Sequence, residues 1–439
     1  MRNITLRKVG SLKSMAAAAA ARISNVISLF AIQLLSARHL SVHDYATFAT
    51  LSASAYVIGI VLPLGIQAAI VRILTMTKVG AGTTETHLYT TSAISFVALL
   101  GTLFTIVATV FCMTSLPEPV PITLTSAWIA IVALRSVNTE IYRGNSQFIK
   151  YNLSMGAASN ASAALILLGS LFLGHNFSTS AIIALVVFLH AIPTIKNSIE
   201  ICRNAHCFVG VRLISAPHVR RLVRSGIPLL AAILFISQSR ELSIIISSYA
   251  LSPTQTSYFA AAIRLSNIAL TPAMLSYAII AQKAASSFAS NSTQVDHRLI
   301  RTQIFLVTMF SGLTSLPLLL LPSEALTLTY GADYASAWLP LIILTASQVL
   351  MVAAGPADQA LALAGRQSTL LILSIASGVA IVGFTLLGAI VGELIGASVG
   401  AATALLLRAT CGTLAVRIEL GMWVTPLFDA SYFTRNEHG

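Results

Sequence analysis

Apolar runs of about twenty residues recur from end to end of the chain, each closed by a short polar connection. A helix needs about 20 residues to cross a hydrocarbon core about 30 Å thick. Runs over 15–37, 46–71, 88–113, 122–142, 152–173, 179–200, 226–248, 257–281, 303–321, 337–357, 368–390 and 394–416 meet that length, and the pattern predicts twelve transmembrane helices. The runs are continuously apolar, whereas membrane-barrel strands are about ten residues long and alternate apolar with polar. Inside lipid a helix also satisfies its own backbone groups. The predicted fold class is an all-α polytopic membrane protein.

Charge orients the spans. Arg2, Arg7, Lys8 and Lys13 lie in the N-terminal tail, and alternate connections carry Arg72 and Lys78, Arg143 and Lys150, a basic block over 196–224, Lys283 with Arg298 and Arg301, and Arg366. Arg417 and Arg435 follow the last span, while the opposite connections hold Arg38 beside Asp44, Glu118, Glu324, Asp333 and Glu393. By the positive-inside rule both termini lie in the cytoplasm, which requires an even number of spans.

Composition changes the picture little. Hydrophobic residues make up 56% of the 439 positions and charged residues 9%, and mean hydropathy is +0.84. The net charge of +12 and pI near 9.9 are spread over many short loops, where they face anionic headgroups rather than nucleic acid. A basic start leads into the first apolar run, but its small residues, Ala16 to Ala21, precede the apolar core, so it reads as an uncleaved span rather than a signal peptide. Cys112, Cys202, Cys207 and Cys411 are scattered, with neither a disulfide framework nor zinc spacing. No metal or cofactor is implied.

Two segments resemble each other. Leu40-Ser41-Val42-His43-Asp44-Tyr45-Ala46-Thr47-Phe48-Ala49 joins the first predicted span to the second, and Leu251-Ser252-Pro253-Thr254-Gln255-Thr256-Ser257-Tyr258-Phe259-Ala260 joins the seventh to the eighth. The longest basic connection falls between the two sets of six. The expected organisation is two six-helix lobes, residues 1–210 and 211–439, related as parallel repeats, with a central cavity where such transporters place substrate.

Five arginines fall within the spans: Arg22, Arg135, Arg240, Arg264 and Arg408. Each costs about 2.5–3.5 kcal/mol at a helix centre, so they require water, partners or substrate. At 100° per residue, Arg22, Asn25, Gln33 and Ser36 share a face, as do Arg135, Asn138, Thr139 and Tyr142, then Ser237, Arg240, Glu241 and Ser248, and finally Ser257, Arg264, Asn267 and Thr271. Guanidinium groups bind phosphate or carboxylate oxygens bidentately and stay charged when partly desolvated, which points to an anionic substrate. The candidate substrate-binding residues are Arg22, Asn25, Arg135, Arg240, Arg264 and Asn267, with Arg264 foremost because no acid lies within a helical turn of it. Glu241 and Asp358 are candidate ion-coupling residues, and Glu140 with Arg143 forms a structural pair at three-residue spacing. Histidines are dispersed, the outer connections are short and no phosphate loop is present, so no catalytic residue is assigned.

Leu35-Ser36-Ala37-Arg38-His39-Leu40-Ser41-Val42-His43-Asp44-Tyr45-Ala46-Thr47-Phe48, then Leu64-Gly65-Ile66-Gln67-Ala68-Ala69-Ile70-Val71-Arg72, resembles the opening of polysaccharide flippases of the multidrug/oligosaccharidyl-lipid/polysaccharide exporter superfamily. Tyr330-Gly331-Ala332-Asp333-Tyr334-Ala335-Ser336-Ala337 and Gln359-Ala360-Leu361-Ala362-Leu363-Ala364-Gly365-Arg366 are similar to later features of that family, although Asp358 stands where it commonly has Asn. The resemblance implies movement of an undecaprenyl-pyrophosphate-linked oligosaccharide from the inner to the outer leaflet of a bacterial plasma membrane, alongside a glycan polymerase and a chain-length regulator. A relative that flips the peptidoglycan precursor has substrate-relevant arginines in its first and eighth spans, at places similar to Arg22 and Arg264. A cation-coupled multidrug exporter is the alternative within the superfamily, and a membrane glycan polymerase or ligase the alternative outside it.

Overall fold

The computed structural model describes residues 2–80, 82–115, 120–204, 214–274, 276, 297–421, 423 and 425. Glu118, Cys207, Lys283, Arg435 and the end of the eighth predicted span lie outside this set, as does the side chain of Arg22. Among the described residues the regular structure is helical: α1 Arg2–His39, α2 Val42–Val61, α3 Ile66–Gly80, α4 Gly82–Ser115, α5 Val120–Gly144, α6 Phe148–Ser154, α7 Ala157–Phe172, α8 Thr179–Asn204, α9 Ala216–Ser237, α10 Ser239–Ser248 and α11 Pro253–Leu265. There follow α12 His297–Leu320, α13 Pro322–Thr329, α14 Trp338–Ala353, α15 Ala357–Leu363 and α16 Gln367–Leu420. Short 3-10 turns occupy Ser266–Leu270 and Ala332–Ala337.

Eight helical stretches among the described residues, three of them made of consecutive elements joined end to end, are long and apolar enough to cross a bilayer, nine when α9 and α10 are taken as one span bent by 69°. Several predicted spans are broken in the middle. The second divides at Leu62–Gly65, where Leu64 and Gly65 take positive φ, and the fifth divides at Gly156, φ +104. By contrast, the eleventh and twelfth are the two arms of α16, which turns back through non-helical Gly392 and Glu393. Small residues let those arms touch: a Cβ on Gly396 stands 2.1 Å from the Gly388 carbonyl oxygen, and one on Gly400 stands 2.0 Å from that of Phe384. With the arms counted separately, and with α1 and the α11 segment added, each of the twelve predicted spans corresponds to helix where described, apart from such breaks.

The duplicated segments prove to be helix starts. Ser41 caps α2, its hydroxyl accepting from the Asp44 N–H at 3.1 Å. Ser252 caps α11 in the same way, accepting from the Gln255 N–H at 3.3 Å, while the Gln255 side chain returns to the Ser252 N–H. An uncapped start would leave backbone donors without partners at the membrane boundary.

The chain divides into two compact units, Met1–Leu234 and Phe235–Gly439, so the division falls inside α9. In the first unit α5 is the central helix, packed against α2, α3, α4, α6 and α8. Gly59 of α2 and Gly101 of α4 meet α5 at Val132 and Ala130, and the Leu62–Gly65 break lies on Gly226 of α9, where a Cβ on Gly65 would stand 2.2 Å from the Gly226 carbonyl oxygen. In the second unit α14 packs on α11, α12 and α16, and α15 seats against α16. Large apolar side chains cover outer helix faces: Leu99, Leu103, Ile106, Val107 and Val110 lie on one exposed face of α4. Such a surface is stable against hydrocarbon and not against water, so the chain is a multi-pass membrane protein.

Candidate functional site

The second unit gathers three guanidinium groups and two carboxylates. Arg240 opens α10 just past the bend at Gln238, which places it on a different helix from Ser237, with which the sequence pattern grouped it. Its Nη1 donates to Asn267 Oδ1 at 2.6 Å, and Asn267 sits in the 3-10 turn that follows α11. Glu241 is turned to the neighbouring helix, where its carboxylate meets Arg264 at 3.5 Å. Adjacent helical residues do not face each other squarely, and the ion pair of Glu241 is with Arg264 rather than with Arg240. Arg408, on the second arm of α16, forms an ion pair with Asp358 of α15.

Glu241 pairs with Arg264, Asp358 pairs with Arg408, and Arg240 has a neutral amide as its hydrogen-bond partner, so three guanidinium groups stand with two carboxylates among the described residues. Glu241 and Arg408 are the charged groups that act on Arg240. An uncompensated charge away from water costs several kcal/mol, and the planar fork of a guanidinium matches the oxygens of phosphate or carboxylate. Arg264, foremost from sequence spacing, is instead 6% exposed and engaged by Glu241.

In the first unit Arg135 is half-buried on α5, and its Nη1 is sealed from solvent with no hydrogen-bond partner. Around it stand Gly156 at the start of α7, Asn160 one turn further on, and His190 of α8. Asn160 Nδ2 donates to Asn25 Oδ1 of α1 at 2.9 Å, which brings Asn25 to the same polar region. Asn138, one turn from Arg135, spends its amide on the Thr194 carbonyl at 3.1 Å and the Ser198 hydroxyl at 2.8 Å. Two acids of this unit are paired: Glu140 with Arg143 at 2.7 Å, and Glu200 with Lys150.

Sequence reading missed His190, Asn160 and Gly156. A signal was present, since His190, Thr194 and Ser198 follow one another at four-residue spacing and form a buried polar stripe on an otherwise apolar span. Residues in and beside two of the family-like motifs make local contacts. Tyr330 and Tyr334 flank Gly331, φ +118, with ring centroids 5.5 Å apart, and Gly365, φ +76, turns α15 so that Arg366 reaches Glu419 at 3.2 Å. Among the described residues no group of three His, Cys, Asp or Glu side chains is placed to hold a metal ion.

No protein-family model and no curated protein matches the sequence of this chain. Its fold matches solved transporters. An inward-facing multidrug-resistance MATE transporter of the MOP superfamily superposes with a TM-score of 0.70 at 15% identity, over 90% of this chain and 94% of that one. The lipid II flippase MurJ in an inward closed conformation gives 0.69 at 14% identity, over 92% and 87%. A MOP superfamily transporter from Pyrococcus furiosus, described as having a binding pocket of reversed polarity, gives 0.55 at 14% identity, over 93% of each chain. The all-α architecture of twelve helices in two six-helix lobes is therefore the fold of this protein.

Proposed function

We propose that the protein moves a polyprenyl-pyrophosphate-linked oligosaccharide across a bacterial plasma membrane, drawing the substrate's phosphates with guanidinium groups that it leaves without carboxylate partners. The observation that carries this reading is Arg240, a half-buried cation that donates to the neutral amide of Asn267 while the adjacent Glu241 meets Arg264. Arg135 is the corresponding surplus cation of the first unit. Phosphate oxygens match the planar fork of guanidinium better than any neutral substrate group does. The fold is shared with a lipid II flippase, which supports a lipid-linked substrate.

In this account Arg240 and Arg135 meet the anion. Asn267 orients Arg240, and Arg264 holds Glu241 away from it. Arg22 and Asn25 on α1 supply further polar contact. Ion coupling at Glu241 or Asp358 requires the arginine now paired with each to let go. The basic connections set both termini in the cytoplasm, and a glycan polymerase and chain-length regulator act on the exported product. The protein binds no nucleic acid and catalyses no covalent step. In cells, Arg240→Met at normal protein levels is expected to abolish surface glycan export; unchanged export removes Arg240 from the mechanism.

A second reading, a cation-coupled multidrug exporter, is favoured by the equally good match to MATE transporters. It needs a carboxylate free to meet a cationic drug. Asp358→Asn separates the two: loss of resistance to organic cations with intact glycan export supports the exporter.

A further inference from the structure

Three polar side chains of the first unit converge on Gly156. A Cβ placed on that glycine would stand 2.8 Å from Arg135 Nη1, 3.3 Å from His190 Nε2 and 3.5 Å from Asn160 Nδ2. His190 is 1% exposed and its Nδ1 donates to the Val186 carbonyl at 2.8 Å, which leaves the Nε2 lone pair facing inward. Asn160 is 2% exposed and spends Nδ2 on Asn25, so Oδ1 is a second acceptor. Arg135 Nη1, His190 Nε2 and Asn160 Oδ1 are all sealed and have no hydrogen-bond partner in the protein.

The set is one donor and two acceptors. A halide would satisfy Arg135 but face two lone pairs, and a metal cation would be repelled by the guanidinium. One water accepts a single N–H and donates twice, which completes all three groups at once. We propose that a buried water fills this nest, and that His190 thereby acts as a positioning residue for Arg135. It fixes the inner nitrogen so that the remainder of the half-buried guanidinium is presented to a phosphate. The positioning role rests on the function proposed above for Arg135; the water does not. Gly156 is required because its φ of +104 suits no side chain and a Cβ would press on Arg135.

Two measurements test this. A high-resolution density map of the wild-type protein, collected with and without bromide, is expected to show one ordered peak within hydrogen-bond distance of all three atoms and no bromide signal. A bromide peak there, or a direct Arg135–His190 hydrogen bond with no density between them, overturns the water. In proteoliposomes bearing a polyprenyl-pyrophosphate-linked saccharide, His190→Leu is expected to raise KM about three- to tenfold with turnover unchanged, the loss of one hydrogen bond. His190→Gln, which restores an acceptor, is expected to return KM to within about twofold. Wild-type KM in His190→Leu overturns the positioning role. If Arg135→Ala transports normally, the functional reading of Arg135 fails while the density still decides the water.

Discussion

Replacing Arg240 with Met removes a charge that no carboxylate balances, and its effect on stability differs in sign from that of breaking a pair nearby. The substitution forfeits the hydrogen bond to Asn267 Oδ1 at 2.6 Å, about 1.5–3 kcal/mol for a charged donor. It also relieves the cost of a guanidinium within a span, about 2.5–3.5 kcal/mol. Met fills much of the same volume with an adaptable apolar chain, so the net change lies between about zero and 2 kcal/mol in favour of the folded state. Asp358→Asn is the contrast. It removes the carboxylate paired with Arg408, which is 14% exposed, and breaking a fully buried pair costs about 3–5 kcal/mol. Because Asp358 is 31% exposed, solvent screening lowers that to about 1–3 kcal/mol. Reversible unfolding in mixed micelles ranks the variants, with Arg240→Met at or above wild type and Asp358→Asn below it. Comparable destabilisation of the two would show that Arg240 is a structural keystone, and the surplus-cation argument would fail.

The remaining expectations concern the scaffold. Gly396→Leu drives a side chain into the Gly388 carbonyl, 2.1 Å from its Cβ, and is expected to give aggregated protein on size exclusion, whereas Gly383→Ala, whose Cβ meets nothing within 4 Å, remains monodisperse. Ser252→Ala removes the capping hydrogen bond that the Ser252 hydroxyl accepts from the Gln255 N–H and is expected to lower stability by about 1 kcal/mol in the same micelle assay, with Ser252→Asn restoring it. Glu241→Gln removes the carboxylate that meets Arg264 at 3.5 Å and raises the net charge of the cluster by one. It is expected to tighten binding of inorganic pyrophosphate to the purified protein, read by calorimetry, and weaker binding would contradict the charge count.

The hydrophobic period made the helices legible, because a span of about twenty apolar residues has one stable solution in lipid. What it did not show was where a span breaks. Gly65 and Gly156 take positive φ where the chain steps from one helix to the next, and at the end of α9 a single residue, Gln238, separates two helices set at 69°. Apolar patterning continues across such points, and only contact with other helices fixes them. The Arg-bearing stripes were visible as polar positions, but pairing was not: Glu241 is adjacent to Arg240 in sequence and bonds to Arg264, 23 positions away. Likewise Asp358 and Arg408 meet across 50 positions. In the folded chain Arg264 meets Glu241, while Arg240 bonds to the amide of Asn267. Asn25 found its partner in Asn160, 135 residues distant, through a helix contact that no local pattern encodes.

The central claim is that an unbalanced guanidinium inside the second unit recruits a lipid-linked pyrophosphate. The most direct measurement is leaflet transfer of a fluorescent polyprenyl-pyrophosphate-linked saccharide in proteoliposomes, comparing wild type, Arg240→Lys and Arg240→Met. The account predicts transfer by wild type, weakened transfer by Arg240→Lys because the bidentate fork is gone, and background rates for Arg240→Met. Transfer by Arg240→Met at the wild-type rate would contradict it.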